Sequence, residues 1–213
     1  MFYLVKTPIL LKKLYPDCIW NFPKGEKIIY LTFDDGPHPI ATPFVLDTLK
    51  RFDAKATFFC IGNNVVAHPE IYKRVIDEGH MTANHTFNHL NGWKTADKEY
   101  VENIKKAKKF IDSSLFRPPY GRITRFQSRL LTSAENNNHR QLFKIIMWDV
   151  LSADFDQSIT AAKCTLNVTK NAGEGSIVVF HDSEKAFPRL ENALPETLKY
   201  FANREYRFES IPG

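Results

Sequence analysis

The sequence predicts a single-domain α/β protein whose parallel sheet is closed into a barrel or doubly wound, with the barrel favoured. Short β-rich runs alternate with longer helical patterns along the chain of 213 residues, and neither a linker nor an internal repeat interrupts them. Polar residues also follow the ends of several predicted strands. In a (β/α) barrel the carboxyl ends of all strands open onto one face, so these residues would converge there.

The predicted strands are short runs rich in apolar and β-branched residues, each bounded by turn residues. We expect seven of them, at residues 28–33, 56–60, 80–84, 114–117, 143–148, 176–181 and 208–211. The polar residues at or just after their ends are Asp34, Asp35, His85, Arg117, Asp149 and His181.

Between the strands lie five or six segments with helical spacing of apolar residues. Thr42-Pro43 combines a capping residue with a first-turn proline, and His68-Pro69 begins a helix that Gly79 ends. Thr95 begins a third helix, and residues 159–170 and 189–203 form two more. Residues 122–140 are expected to be partly helical, followed by a polar loop at Asn136-Asn137-Asn138.

The composition is that of a globular protein, with 43% hydrophobic and 25% charged residues. The net charge is +5, but lysine and arginine are scattered and form no long basic block, and nucleic-acid motifs, a P-loop and a dinucleotide fingerprint are absent. We therefore expect no nucleic-acid partner. Three widely spaced cysteines indicate no disulfide framework, and Cys60 and Cys164 lie in apolar contexts typical of a core.

The first twenty residues lack the features of a signal peptide, because Lys6 and Pro8 interrupt the short apolar runs and no small-residue cleavage site follows. No apolar stretch approaches the length needed to cross a membrane. A cytoplasmic protein without a membrane span is therefore expected.

Two polar clusters indicate a metal site. His85 and His89 are four residues apart, so on a helical turn they would share one face and could bind one ion. Asp34-Asp35 could supply one carboxylate to that ion and one to a water molecule as general base, and the residues alone do not say which does which. Thr86 stands where a zincin has its glutamate, so that protease class is not indicated.

Two further segments could complete a hydrolytic site. The proline-rich turn at Arg117-Pro118-Pro119-Tyr120-Gly121 could aim a backbone N–H at a developing oxyanion, and Arg117 could hold a carboxylate ionised. His181 is placed to protonate a leaving group, oriented by a carboxylate from the segment between Asp149 and Asp154. The tryptophans Trp20, Trp93 and Trp148 are candidates for stacking on sugars, although Trp148 is expected in the core.

These segments, in this order, resemble the motifs of the polysaccharide deacetylases (the NodB homology domain, carbohydrate esterase family 4). The resemblance covers residues 27–212. It rests on Thr32-Phe33-Asp34-Asp35-Gly36-Pro37, His85-Thr86-Phe87-Asn88-His89, Phe116-Arg117-Pro118-Pro119-Tyr120-Gly121, Trp148-Asp149-Val150-Leu151-Ser152-Ala153-Asp154-Phe155 and Ser176-Ile177-Val178-Val179-Phe180-His181-Asp182.

The resemblance implies a distorted (β/α) barrel and a role for each matching residue. It implies Asp34 as the base, held by Arg117, and His181 as the acid, paired with Asp154. It implies Asp35, His85 and His89 as ligands of one divalent metal ion, with zinc favoured over cobalt, nickel or manganese. The substrate side of the site would include the Tyr120 N–H for the oxyanion, together with Pro118, Phe155 and Val179.

The fourth and fifth motifs depart from the family pattern in the pocket walls. Leu151 replaces an acidic residue, Phe155 replaces a tryptophan, and Val179 stands where a leucine commonly lines the acetyl pocket. Because pocket walls select the sugar, these changes bear on substrate identity and leave the catalytic set intact.

The expected function is metal-dependent removal of N-acetyl groups from an amino-sugar polymer or oligomer, such as chitin, peptidoglycan or poly-N-acetylglucosamine. The alternatives are an O-acetyl esterase acting on a substrate such as acetylxylan, a cyclic-amide hydrolase on the same scaffold, and a non-catalytic carbohydrate-binding domain. Residues 27–213 would form the catalytic domain, with residues 1–26 as an N-terminal extension packed on the barrel.

Overall fold

The computed structural model of the protein describes residues 3–133 and 143–213. Residues 134–140, with the polar loop expected at Asn136-Asn137-Asn138, therefore lie outside the described residues. The helices are α1 (Ile9–Leu14), α2 (Ala41–Arg51), α3 (Gly62–Ala67), α4 (Pro69–Asp77), α5 (Asp97–Lys108), α6 (Arg125–Thr132), α7 (Ala161–Thr169) and α8 (Phe187–Ala202), with a 3-10 turn at Pro119–Gly121. The strands are β1 (Cys18–Ile19), β2 (Ile28–Asp34), β3 (Ala56–Cys60), β4 (Met81–Asn84), β5 (Leu115–Phe116), β6 (Lys144–Ile146), β7 (Val150–Leu151), β8 (Ile177–His181) and β9 (Arg207–Phe208).

The sheet is parallel throughout these named strands and curls into a half-barrel. Its order is β1-β6-β5-β4-β3-β2-β8-β7, and β9 pairs with the start of β2. The predicted α/β barrel class is therefore confirmed. Each of the seven predicted strands overlaps an observed one, although β9 shares only Phe208 with the predicted run 208–211, and the structure adds β1 and β7, of two residues each.

The strands at the centre of the sheet are buried along almost their whole length. Strand β3 is buried at every residue, and only Tyr30 in β2 is partly exposed. This pattern is typical of a parallel sheet covered on both faces. Phe33 lies at the centre of the core, where its ring stacks on Phe58 and Phe180 with centroid distances of 5.1 and 6.2 Å.

The helices agree with the predicted segments, with one informative difference at α2. Thr42 lies inside this helix rather than at its cap, so the capping role predicted for it is wrong. The ring of His38 caps the helix instead, because its Nδ1 accepts from the N–H groups of Ile40 and Ala41. Thr42 is thereby left to bond elsewhere. Helices α1 and α3, of six residues each, were not predicted.

The N-terminal residues lie against both ends of the curled sheet. Strand β1 pairs with β6 at one end, and Lys6 forms an antiparallel bridge to Val150 of β7 at the other. Backbone hydrogen bonds from Thr7 to Asp149 and from Leu151 to Val5 extend this bridge. The segment before β2 thus spans the opening that the half-barrel would otherwise leave between β7 and β1.

The cores around the sheet contain all three cysteines as buried free thiols, as predicted for Cys60 and Cys164. In the described ranges 3–133 and 143–213, no helix is both long enough and apolar enough to cross a membrane.

Candidate active site

Five of the six polar residues predicted at strand ends converge at the carboxyl end of the sheet, whereas Asp149 bonds to Lys6, Lys12 and Ser176, which precedes β8. Asp34 ends β2 and lies in register with His181, which ends the neighbouring strand β8. Asn84 ends β4, and Arg117 directly follows β5. The open end of the half-barrel therefore collects two carboxylates, three histidines and a guanidinium group, from Asp34, Asp35, His85, His89, His181 and Arg117.

Asp35, His85 and His89 form a cluster that could hold a metal ion. One ligand atom from each residue lies within 4.8 Å of the others. The Asp35 Oδ1 atom is 3.2 Å from His89 Nε2 and 3.7 Å from His85 Nε2. Ligand atoms at tetrahedral positions about 2.0–2.1 Å from a zinc ion would be separated by about 3.3 Å, so the observed spacing suits such an ion.

The loop between the two histidines is not the helical turn that their spacing predicts. Thr86 and His89 have left-handed backbones, with φ of 64° and 56°, and Asp35 has φ of 84°. Such values are uncommon for residues other than glycine and tend to occur at functional sites. Asn84 supports this geometry, because its side chain accepts from the Thr86 N–H and donates to the Ile104 carbonyl.

The contacts of His85 suit a metal ligand. Its Nδ1 lies 2.8 Å from the Arg117 carbonyl oxygen, an arrangement that orients the ring and leaves Nε2 facing Asp35. Burial lowers the pKa of His85 to about 4, so the imidazole is neutral at pH 7, the form that binds metal. The donor set and its supporting contacts therefore fit a divalent ion.

The charge state of Asp35 also suits a ligand. Burial raises the pKa of this carboxyl, but the contact with His89 and the nearby His181 and His85 outweigh burial and hold the pKa below its usual value. Asp35 is therefore ionised across the neutral pH range.

Asp34 is held by a fully buried arginine. Arg117 Nη1 donates to Asp34 Oδ1 at 2.6 Å and to the Thr32 hydroxyl at 2.7 Å. The remaining donors reach the carbonyl oxygens of Ile146 and Met147, at 3.1 and 3.0 Å. This arrangement leaves one oxygen of Asp34 for another partner in the cavity.

His181 is paired with Asp154, which resolves the alternative left open by the sequence. The Asp154 carboxylate accepts from His181 Nδ1 at 2.7 Å and from the His181 backbone N–H at 2.8 Å. Burial alone would lower the pKa of His181, but the charge and hydrogen bond of Asp154 raise it to about 9. Asp149 instead pairs with Lys6 and Lys12 and accepts from the Ser176 hydroxyl.

The proline-rich turn presents Tyr120 beside the candidate ligands. Tyr120 has a left-handed backbone, with φ of 61°, and its ring centroid lies 4.6 Å from that of His89. The turn is closed by hydrogen bonds from Gly121 to Pro118 and from Arg122 to Pro119.

A cavity of about 520 Å³ lies over these groups. Tyr120, Phe155 and Val179 line it, as does Leu151. Pro118 is buried and, among the described residues, does not belong to the cavity wall, so it shapes the turn rather than the pocket. Trp148, expected in the core, is only partly buried and also lines the cavity.

Sequence reasoning missed two contributors to the site. Asp182 is fully buried, and its carboxylate accepts from the Gly36 N–H at 3.1 Å and from the Thr42 hydroxyl at 2.5 Å. It thereby holds the loop that follows the Asp34-Asp35 pair. Tyr3 lines the cavity from the N-terminal segment, donating to Asp156 at 2.7 Å. The only sequence signal for Asp182 is its position next to His181, and none exists for Tyr3.

Residues 22–142 match the family model described as polysaccharide deacetylase. The sequence is 36% identical over 211 residues to a peptidoglycan-N-acetylglucosamine deacetylase of Bacillus cereus, and the match covers 95% of this chain and 96% of that protein.

Two solved structures are also similar to this chain. The crystal structure of the Bc1960 peptidoglycan N-acetylglucosamine deacetylase with 4-naphthalen-1-yl-N-oxidanyl-benzamide is similar, with a TM-score of 0.85, 31% identity and coverage of 97% of this chain and 95% of that one. The Xyl-CE4 domain of a multidomain xylanase from the hindgut metagenome of Trinervitermes trinervoides has a TM-score of 0.75 and 28% identity, and covers 88% of each chain.

Proposed function

Because the chain belongs to the polysaccharide deacetylase family, we propose that it removes N-acetyl groups from an amino-sugar glycan and releases acetate. The curated relative named above acts on peptidoglycan N-acetylglucosamine, which supports a glycan of the peptidoglycan type as substrate. The expected family, enzyme class and carbohydrate substrate are those that the sequence motifs indicated.

One observation carries this proposal. The candidate metal ligands line one cavity together with two further groups, a carboxylate held by Arg117 and a histidine held by Asp154. Hydrolysis of an amide needs a base for the attacking water and an acid for the leaving amine. The two groups sit on adjacent strands in register, so both can reach one scissile bond.

Asp35, His85 and His89 would hold one divalent metal ion. Two imidazoles and one carboxylate are a donor set that zinc accepts while keeping positions open, which favours zinc over cobalt, nickel or manganese. When bound, such an ion polarises a carbonyl oxygen and lowers the pKa of a coordinated water to about 7.

Asp34 would take the proton from the attacking water. Its carboxylate is ion-paired with Arg117 through one oxygen only, while the other contacts of the guanidinium are to Thr32, Ile146 and Met147. The base is therefore held at one oxygen, and Asp34 lines the cavity. General base catalysis of this kind contributes roughly 10²–10⁴-fold in rate.

His181 would donate a proton to the departing amine. Because Asp154 binds Nδ1, the ring presents Nε2 to the cavity, and a pKa of about 9 keeps that nitrogen protonated at neutral pH. The Tyr120 N–H would support the oxyanion, since Tyr120 lines the cavity beside His89. Phe155 and Val179 would contact the acetyl methyl group.

The test is acetate release from N-acetylglucosamine oligomers and from peptidoglycan, using protein stripped with a chelator and then supplied with zinc. Release restored by zinc supports the proposal. Release only from acetylated xylan would instead indicate an O-acetyl esterase, and stoichiometric zinc binding without any release would indicate another acyl substrate, such as a cyclic amide. Loss of both zinc binding and release would favour a non-catalytic carbohydrate-binding domain.

A further inference from the structure

The most exposed large apolar side chains among the described residues lie on the short helix α1. Ile9 and Leu10 are 72% and 70% exposed, and Leu14 is 45% exposed. Leu10 and Leu14 are four residues apart, so they lie on one side of the helix. This apolar side of α1 faces solvent, and a concentration of exposed apolar residues marks a site of contact with a protein or a membrane.

The opposite side of α1 fixes the helix on the rest of the protein. Leu11 packs against the core cluster that contains Trp20 and Phe116. Lys12 pairs with the buried carboxylate of Asp149 at 2.7 Å. The exposed side of α1 therefore has a defined position in the folded chain and does not need a ligand for its order.

Helix α6 lies beside α1 and exposes apolar residues at the same spacing. Phe126 and Leu130, four residues apart, are 58% and 40% exposed, whereas Gln127 on the other side of the helix is fully buried. Arg125 connects the two helices, because its Nη2 donates to the Leu14 carbonyl at 3.4 Å. The two exposed apolar pairs therefore belong to neighbouring helices.

A cleft of about 240 Å³ between these helices carries positive charge. Lys13 of α1 and the α6 residues Arg125 and Arg129 line it, and Asp17 is the one acidic residue among its described lining. All three basic residues are exposed, and no ion pair within residues 3–133 and 143–213 involves them. Lys13 is distant in sequence from the two arginines, so the fold creates a local positive charge that can receive an anionic group.

We propose that α1, α6 and the cleft between them bind the surface of a membrane that contains anionic phospholipid. The apolar side chains would enter the boundary between headgroups and acyl chains, and the basic side chains would contact lipid phosphates. Such a surface lies on a membrane and does not span it. The inference goes beyond the proposed function and does not depend on it. The docking face is defined by Leu10, Lys13, Leu14, Arg125, Phe126 and Arg129.

The combination of positive charge and apolar surface favours a lipid surface over other occupants. A two-fold dimer through this face would bring the same patch of both copies together, so that the basic residues of one would repel those of the other. An anionic polymer would satisfy the basic residues but leave Leu10 and Leu14 without an apolar partner. An anionic lipid surface supplies both kinds of contact.

The experiment measures sedimentation of the full chain with two kinds of vesicle, one of phosphatidylcholine alone and one of phosphatidylcholine and phosphatidylglycerol in equal amounts. The wild type should bind the anionic vesicles at least about tenfold more strongly, and added salt should reduce this preference. Lys13→Gln/Arg129→Gln should weaken anionic binding roughly 25-fold, since each basic residue near such a surface contributes about fivefold. Leu10→Ser/Leu14→Ser should weaken it by roughly tenfold through loss of apolar burial.

Matched control variants change exposed residues outside the docking face. Lys50→Gln/Lys163→Gln, on α2 and α7, removes the same number of positive charges from exposed positions. Ile76→Ser replaces an apolar residue of α4 that is 48% exposed. Both controls should bind vesicles like the wild type. Thermal melting of every variant shows that the fold is retained.

Wild-type binding to anionic vesicles that neither docking-face variant weakens, or that the controls weaken equally, would overturn the inference. Loss of binding in the lysine–arginine variant without any loss in the leucine variant would indicate an anionic polymer instead of a lipid surface. If the wild type binds no vesicles and Leu10→Ser/Leu14→Ser changes its oligomeric state in light scattering, the face is an interface between copies of this chain.

Acetate release from soluble N-acetylglucosamine oligomers tests the proposed function separately. Both docking-face variants should release acetate like the wild type, because none of their substituted residues lines the catalytic cavity. Vesicle binding that depends on the docking face, without acetate release from any substrate, would support the inference and refute the proposed function. Acetate release without vesicle binding would do the reverse.

Discussion

Arg117 and Asp34 form an ion pair of 2.6 Å across the interior of the half-barrel, with 0% and 6% of their side chains exposed. The two residues come from β5 and β2, which are separated in the sheet by β4 and β3. The guanidinium also lies 3.9 Å from the centre of the Phe59 ring. The arginine therefore fills the barrel interior and fixes the candidate base at the same time.

Arg117→Met should destabilise the protein and abolish activity. Removing one partner of a buried pair leaves an uncompensated charge, here Asp34, and costs about 3–5 kcal/mol. Arg117→Lys should also lose activity, because an ammonium group cannot reach all four acceptors of the planar guanidinium. Urea unfolding measures the first effect, and acetate release measures the second.

The matched control for this prediction is Arg207→Met. Arg207 pairs with Glu26 on the surface, where the two side chains are 64% and 70% exposed. Surface pairs contribute about 0–1 kcal/mol, so this variant should unfold close to the wild-type midpoint. If both substitutions destabilised the protein equally, the buried Arg117–Asp34 pair would contribute no more to the free energy of unfolding than a surface pair.

Asp34→Asn should retain the metal but lose about 10²–10⁴-fold in kcat, because the amide cannot accept the proton of the attacking water. The residue is not one of the three clustered ligands, so zinc content by mass spectrometry should stay near one per chain. Asp35→Asn should behave differently and lose zinc. Near-wild-type turnover of Asp34→Asn would contradict its assignment as the base.

His181 should titrate with a pKa of about 9 in metal-free protein, and Asp154→Asn should lower that pKa. Because the folded-state pKa lies above the ordinary value of 6.5, protonated His181 stabilises the fold fully below pH 6.5. This contribution is lost as pH rises through about 9. Imidazole NMR signals followed from pH 6 to 10 give the pKa, and a titration unaltered by Asp154→Asn would exclude the pairing as its cause.

Asp182→Ala should loosen the loop after Asp34-Asp35 and weaken metal binding. Without the carboxylate, the Gly36 N–H and the Thr42 hydroxyl lose a buried acceptor, at a cost of about 1–3 kcal/mol for each unpaired group. Zinc affinity should fall in Asp182→Ala. Asp182→Asn should retain a higher zinc affinity, because its amide oxygen remains as one acceptor. Asp112→Asn, at an exposed position, serves as the control and should change neither zinc affinity nor unfolding.

Zinc should raise the melting temperature of wild-type protein by mass action, with about 2.7 kcal/mol of stabilisation at a free concentration of one hundred times Kd. His89→Ala should show a much smaller shift, since it removes one of the three clustered ligands. His68→Asn leaves those ligands in place and should respond like the wild type. The shift is read by differential scanning calorimetry, and an equal response of His89→Ala and wild type would exclude His89 as a ligand.

The parts of the fold predicted best from sequence are those with strong local signals. Strands such as β2 and β3 have continuous apolar runs, and α4 has both a first-turn proline and a terminal glycine. Strands β1 and β7 were missed because two residues carry no period, and each depends on partners more than twenty residues away. Pairing, rather than local preference, makes them strands.

The candidate site also has parts that could be predicted from the sequence and parts that could not. The ligand and acid–base candidates could be identified by residue type and order, but the backbone that joins them could not. Thr86 and His89 adopt left-handed conformations, which are uncommon for residues other than glycine, so their helix-like spacing misled the prediction. The one signal for Asp182 was its position next to His181, because in sequence a carboxyl group that holds a loop resembles any other residue at a strand end.

The position of Tyr3 in the cavity wall has a consequence for how the protein folds. Its partner Asp156 lies 153 residues further along the chain, and the Lys6 contact with Asp149 spans 143 residues. Contacts of such separation form slowly, because a long loop must close before they add stability. During synthesis the N-terminal segment cannot make these contacts until β7 and the loop after it have been synthesised. The cavity is therefore completed late, after most of the barrel has been made.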